Sequence, residues 1–153
     1  MQSVNIHASC VAINGKGVLI LGESGSGKSD LALRLMDDGA RLVADDRTEL
    51  TVERGRLCAR APKSIAGLIE VRGLGIVAQP FADKAYIALA VRLESAPPRL
   101  PEPAFYAPPE PLKLARKPPF ILLDGRLPSA AAKIRLALAA FAKGLRREDF
   151  NPT

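Results

Sequence analysis

Gly17-Val18-Leu19-Ile20-Leu21-Gly22-Glu23-Ser24-Gly25-Ser26-Gly27-Lys28-Ser29 is the stretch that decides how this chain folds. Its opening part, Gly17 to Leu21, is a continuous apolar run, the mark of a strand covered on both faces. From Gly22 to Ser29 the residues fit the spacing G-x-x-x-x-G-K-[ST] in full. Glycine and serine there let the backbone curl, so that successive amides point inward at phosphate oxygens. Lys28 adds a point charge for the β and γ phosphates, and the Ser29 hydroxyl can ligate Mg²⁺. Leu31, Ala32, Leu35 and Met36 then recur at helical spacing between Lys28 and Asp38, with Gly39 as the stop. A helix beginning at Lys28 aims its positive dipole end at the bound anion. A chance Gly-Ser loop would have neither the buried strand before it nor the amphipathic helix after it. Residues Gly22 to Ser29 therefore read as a P-loop that grips a nucleotide of the ATP or GTP type.

Working outward, Val4 to Ile13 reads as a strand that turns back at Asn14-Gly15, the strongest short hairpin signal. Arg41-Leu42-Val43-Ala44 is a second buried strand and delivers Asp45 and Asp46 at its C-terminal end, where ligands lie in open α/β sheets. One carboxylate can hold Mg²⁺ or its water, and the other can take a proton from an attacking hydroxyl; which does which stays open. Thr48 to Val52 and Arg56 to Ala61 form a hairpin about Glu53-Arg54-Gly55, and Ser64 to Glu70 reads as a short helix leading into Val71 to Ile76. Tyr86 to Leu93 and Phe120 to Leu123 are further strands. Most of the 13 prolines fall between residues 96 and 119, so this is an extended, partly ordered connection without helix or central strand. Ser129 caps a last helix whose apolar face is Ile134, Leu136, Leu138 and Phe141, ending at Gly144.

The length of 153 residues fits one domain, residues 1–145, with a loose polar tail at 146–153. A net charge of +6 draws anions without choosing among them. With no Trp and 5% aromatics, the basic residues are not interleaved with stacking rings, which argues against nucleic acid. No apolar run reaches the roughly 20 residues of a membrane span, and no signal peptide is visible. Cys10 and Cys58 make neither a disulfide framework nor a metal quartet and read as small buried hydrophobes in a reducing compartment, the cytoplasm. From the residues alone the reading is a P-loop phosphotransferase or phosphohydrolase of unknown acceptor. A small-molecule kinase or NTPase and a non-catalytic nucleotide sensor remain alternatives.

His7, the loop Gly22 to Ser29, Arg41-Leu42-Val43-Ala44-Asp45-Asp46 and Ile69-Glu70-Val71-Arg72-Gly73-Leu74-Gly75-Ile76, in this order and at these separations, resemble the catalytic domain of HPr kinase/phosphorylase. The similarity covers roughly residues 4 to 94. It implies an α/β fold of the PEP carboxykinase-like, HPr kinase type, a mixed P-loop sheet with flanking helices. It further implies an enzyme that moves the γ-phosphoryl of ATP to a serine of the phosphocarrier HPr, and in reverse lets phosphate attack the phosphoserine and leave as pyrophosphate. Carried over, Asp45 and Asp46 match the family's acidic pair, Lys28 its loop lysine, and Ser29 and Glu70 its magnesium positions. Arg72 to Gly75 matches the stretch used in both directions, and His7 an active-site histidine. Longer members carry an N-terminal domain that this chain lacks and a Pro-Gly-Arg-Asn motif that supplies an arginine. That tetrapeptide does not occur here, and Arg99, Arg116 and Arg126 are the arginines in the corresponding half. These departures leave the kinase core intact and bear on phosphorolysis and on the ring-shaped hexamer, with a homo-oligomer the remaining expectation.

Overall fold

The computed structural model describes residues 1–144. Strand β1 (Val4–Ile13) turns at Asn14 and Gly15, both at positive φ (50° and 80°), into β2 (Lys16–Leu21). The two pair antiparallel from Ala8 opposite Leu21 to Ile13 opposite Lys16. Helix α1 (Lys28–Asp37) follows the glycine-rich loop, and β3 (Arg41–Ala44), β4 (Arg47–Glu53) and β5 (Arg56–Arg60) come next. Then follow β6 (Leu68–Val71), β7 (Gly75–Ala78), β8 (Ala85–Leu93), β9 (Phe120–Leu123) and α2 (Ala130–Lys143). This is the mixed α/β architecture expected, with one seven-stranded sheet, a separate β6–β7 pair and two helices.

The large sheet closes on itself: β2 pairs with β1, β1 with β4, β4 with β5, β5 with β8, and β8 returns in parallel to β2. Small residues make the tight interior possible. Ala8, Cys10, Ala12, Ala59, Ala85 and Ala90 line it beside Leu19, Leu21, Leu50, Leu57 and Ile87. The opposite face of β1, β2 and β8 presents Val11, Val18, Ile20, Leu89 and Val91 to the helices, which cover it with Leu31, Leu35, Ile134 and Leu138. Full burial of each such leucine or isoleucine contributes about 1.5–3 kcal/mol. The register of β2 on β8 shifts between Gly17 and Val18, a bulge that lets Ile87 and Ala90 both face inward.

Two expectations need correction. No helix forms over 64–70; a single 3₁₀ turn (Lys63–Ile65) stops at Gly67, whose φ of 76° breaks helical geometry. The alternation of buried Ile69 with exposed Glu70 then suits a strand, and β6 pairs with β7. On α2, Leu136 is 71% exposed, because it sits about 200° around the helix from Ile134. The buried face is Ala130, Ile134 and Leu138, with Phe141 packed at its margin. Ser129 occupies the cap position without a capping bond. The proline-rich connection has no helix or regular strand, as expected, yet it is fastened down. Tyr106 and Leu112 are buried in the inner core, Tyr106 donates its N–H to Pro118 O (2.8 Å), and its ring meets Phe120 edge-on at 5.9 Å. The expected tail, 146–153, lies outside the described residues.

Glu53 ends β4 and ties it to β5 and β8 by accepting from Arg60 and from Lys84 (2.8 Å). The hydrogen bond from Lys84, then one from Cys58, lowers its carboxyl to about 2 from 4.5. A lowered folded-state pKa gives stability that is present above the unfolded value and is lost as pH falls through about 2. Thermal melts between about pH 5 and pH 2 should therefore show a shallower loss of Tm for Glu53→Gln than for the wild type. Identical slopes would remove this bridge from the acid response.

Candidate functional site

The loop between β2 and α1 wraps around Lys28. This lysine is 5% exposed, and its ammonium donates to the carbonyls of Gly22 and Glu23, each at 2.9 Å. No carboxylate pairs with it among the described residues. Ser26 N–H donates to Glu23 O (3.0 Å), which closes the curl, while Ser26 Oγ is buried with no partner. A Cβ at Gly22 would stand 2.5 Å from Ser26 Oγ and 3.2 Å from Ser26 Cβ, so a larger residue there has to push Ser26 aside. Gly27 (φ 97°) occupies the cap position of α1 with no side chain to cap it, so the first amides of the helix are left for an anion. Glu23, Ser24 and Gly25 form the exposed outer rim.

β3 and β4 run in line along one edge of β1, pairing Ala44 with Cys10 and Arg47 with His7. Asp45 and Asp46 occupy the step between them. Arg47 N–H donates to Asp45 O (2.7 Å) across Asp46, whose φ is 66°. Such a three-residue turn at a non-glycine residue is rare and costs on the order of 1–3 kcal/mol. The step sends the two side chains into different settings. Asp45 is 7% exposed, and its Oδ1 accepts from Ser29 Oγ (2.6 Å) and Ser9 Oγ (3.1 Å). Its Oδ2 accepts from the Glu70 N–H (3.0 Å). Asp46 is exposed, and its carboxylate has no protein partner among the described residues.

The chain's expected site residues thus gather unevenly. Ser29 and Asp45 meet directly, Glu70 joins through its backbone with its side chain exposed, and Lys28 is held separately by the loop carbonyls. His7, exposed, precedes Ala8, which stands opposite the last residue of β2. Arg72 lies at the exposed turn of the β6–β7 hairpin, two residues beyond Glu70. No cluster of three His, Cys, Asp or Glu occurs among the described residues. Asp45 and Ser29 are nevertheless hard oxygen donors of the kind that could hold Mg²⁺ were phosphates to complete its shell.

One further residue comes to this edge. β9 runs parallel to β8, and β8 to β2, so the end of β9 reaches the side of the sheet that carries the loop. There Asp124 holds the largely exposed Arg126 in a two-bond fork (3.0 and 2.9 Å), and this pairing lowers the Asp124 carboxyl to about 2. Leu93 separates the two loops, lying 3.5 Å from a Cβ added at Gly22 and 3.0 Å from one added at Gly125. From α1, Arg34 donates to Gly125 O and to Leu127 O (3.2 Å). Arg126 was one of three arginines expected in this half of the chain, and nothing in the residues singled it out from Arg99 and Arg116.

Fold and site together define a mixed α/β protein whose glycine-rich loop stands beside a buried acid. Residues 1–96 match the HPr serine kinase C-terminal domain family, and the chain belongs to that family. It is 49% identical over 72 residues to the HPr kinase/phosphorylase of Clostridium beijerinckii and 47% over 75 residues to that of Clostridium tetani. These matches take in 47% and 49% of this chain but only 24% and 25% of those relatives, about a quarter of their length. The solved structure titled as the Hpr(Ser) kinase/phosphatase from Coxiella burnetii superposes with a TM-score of 0.76 at 26% identity. That match covers 93% of this chain and 98% of the other.

The Gly22 contact yields a direct test. A methyl group at Gly22 has to push Ser26 out of the loop's curl, so if the loop holds phosphate Gly22→Ala should weaken MgATP binding by roughly tenfold in calorimetry. Wild-type affinity in that variant would mean that the loop's curl does not shape the phosphate pocket.

Proposed function

We propose that this chain is a Mg²⁺-dependent kinase that transfers the γ-phosphoryl of ATP to a serine hydroxyl of an HPr-like phosphocarrier protein. One observation carries the reading: Lys28 and Asp45 are both buried, opposite in charge, and neither has a counter-charge. Uncompensated buried charge is costly, and a metal–nucleotide complex relieves both sites at once. Lys28 and the amides of Gly22 to Ser29 would hold its phosphates, and Ser29 and Asp45, with Glu70 nearby in the chain fold, would hold the magnesium. When bound, Mg²⁺ offsets the charge on the phosphate oxygens.

The remaining chemistry belongs to the chain. Asp46, exposed and unpartnered, accepts the proton of the incoming serine. In the reverse direction, as phosphate attacks the phosphoserine and pyrophosphate leaves, Asp46 returns that proton to the serine oxygen. We assign Arg72 and Arg126 to charge compensation and His7 to the rim of the phosphate site. Holding the partners in line and neutralising the migrating group supply most of the acceleration. Cys10 and Cys58 are free and buried, which fits a reducing compartment such as the cytoplasm. The likeness of the fold to the Coxiella burnetii protein supports the same reading.

Incubation with γ-labelled ATP, Mg²⁺ and a purified HPr-like protein should yield acid-stable phosphoserine. Lys28→Ala should abolish transfer, and Asp46→Asn should lower it by roughly a hundredfold or more while still binding nucleotide. Label found only in free phosphate, or full activity in either variant, would overturn the assignment.

A further inference from the structure

Ser9 lies in the middle of β1, 0% exposed. Its neighbours Ala8 and Cys10 face the inner core, so its own side chain points to the other face, where Asp45 and Asp46 form their step. A hydroxyl has one hydrogen to give and lone pairs to receive. An ionised carboxylate only accepts and a backbone N–H only donates, so both bonds of Ser9 have a forced direction. Its Oγ donates to Asp45 Oδ1 (3.1 Å) and accepts from Asp46 N–H (3.0 Å).

We propose that Ser9 is a positioning residue that sets the two aspartates in their separate roles, an assignment that rests on the kinase reading above. The geometry supports this in two ways. Ser9 satisfies the amide of the residue at φ 66°, where Ala8 also holds the backbone by donating its N–H to Asp46 O (3.0 Å). Thr48 Oγ1 completes the hold by donating to Ala8 O (2.8 Å). Ser9 also keeps a donor on Asp45 Oδ1 that does not depend on Ser29, whose hydroxyl shares that same oxygen. Ser29 is then free to turn to a metal without leaving Asp45 unheld. A strand residue with no hydroxyl would fill the space and do neither.

The test compares Ser9→Ala and Ser9→Thr with the wild type. Ser9→Ala should bind metal-free ATP as the wild type does, lose most of the tightening of ATP binding that Mg²⁺ brings, and turn over about ten- to a hundredfold more slowly, the scale of one lost hydrogen bond to a charged group. Ser9→Thr, which restores the hydroxyl, should recover most of both. The assignment is overturned if Ser9→Ala keeps wild-type Mg²⁺ tightening and kcat. It is equally overturned if Ser9→Thr melts like the wild type yet recovers nothing, or if the loss in Ser9→Ala merely follows a fall in folded fraction. Absence of transfer to the carrier in the wild type would sink the kinase reading instead. The Mg²⁺-dependent ATP affinity needs no acceptor and still judges Ser9 in that case.

Discussion

A carboxylate sealed from water and held only by neutral donors organises this molecule. Asp45 draws one hydroxyl from β1, one from the start of α1 and one amide from β6. The β6–β7 pair belongs to no larger sheet, so the amide of Glu70 on Asp45 is a direct tie between that hairpin and the phosphate loop. Hydrogen bonds to a charged group are worth about 1.5–3 kcal/mol each, more than most surface contacts the hairpin could make.

Two adjacent residues of the same type do different work because the backbone turns between them. In an ordinary strand Asp45 and Asp46 would point to opposite faces of a continuous sheet. Here β3 and β4 share one edge of β1, and the short turn at Asp46 takes up the mismatch. Strain is concentrated at the residue that remains solvent-facing, and the neighbours that hold it, Ala8, Ser9 and Thr48, are all buried. A backbone conformation of this cost persists only where surrounding contacts over-determine it.

Much of this was legible in the sequence, and the limits have physical causes. β1, the turn at Asn14-Gly15, α1 and β9 follow from apolar periodicity and turn chemistry acting over a few residues. The nearness of Asp45 to the end of the glycine-rich loop was equally readable. Sheet closure was not, because it depends on β2 meeting β8 far along the chain, and no local pattern encodes that pairing. The 64–70 stretch misled because helix spacing and strand alternation look alike over so few residues, and Gly67 decided between them. The unequal fates of Asp45 and Asp46 are set by a turn that their own residue types do not announce. Arg126 escaped assignment because the proline-rich connection hides the parallel crossover that brings β9 home.

A ring of strands also leaves the large sheet with little free edge. β1, β2, β4, β5 and β8 each have neighbours on both sides, so their backbone groups offer little template for strand addition. Among the described residues only the short β3 and β9 border the large sheet, and both are partly shielded. Ala82 N–H donates to Leu42 O beside β3, and Phe105 bridges to Pro119 at the start of β9. The ring closes only when β8, made late in the chain, pairs with both β2 and β5, so the strands made first wait on a distant partner.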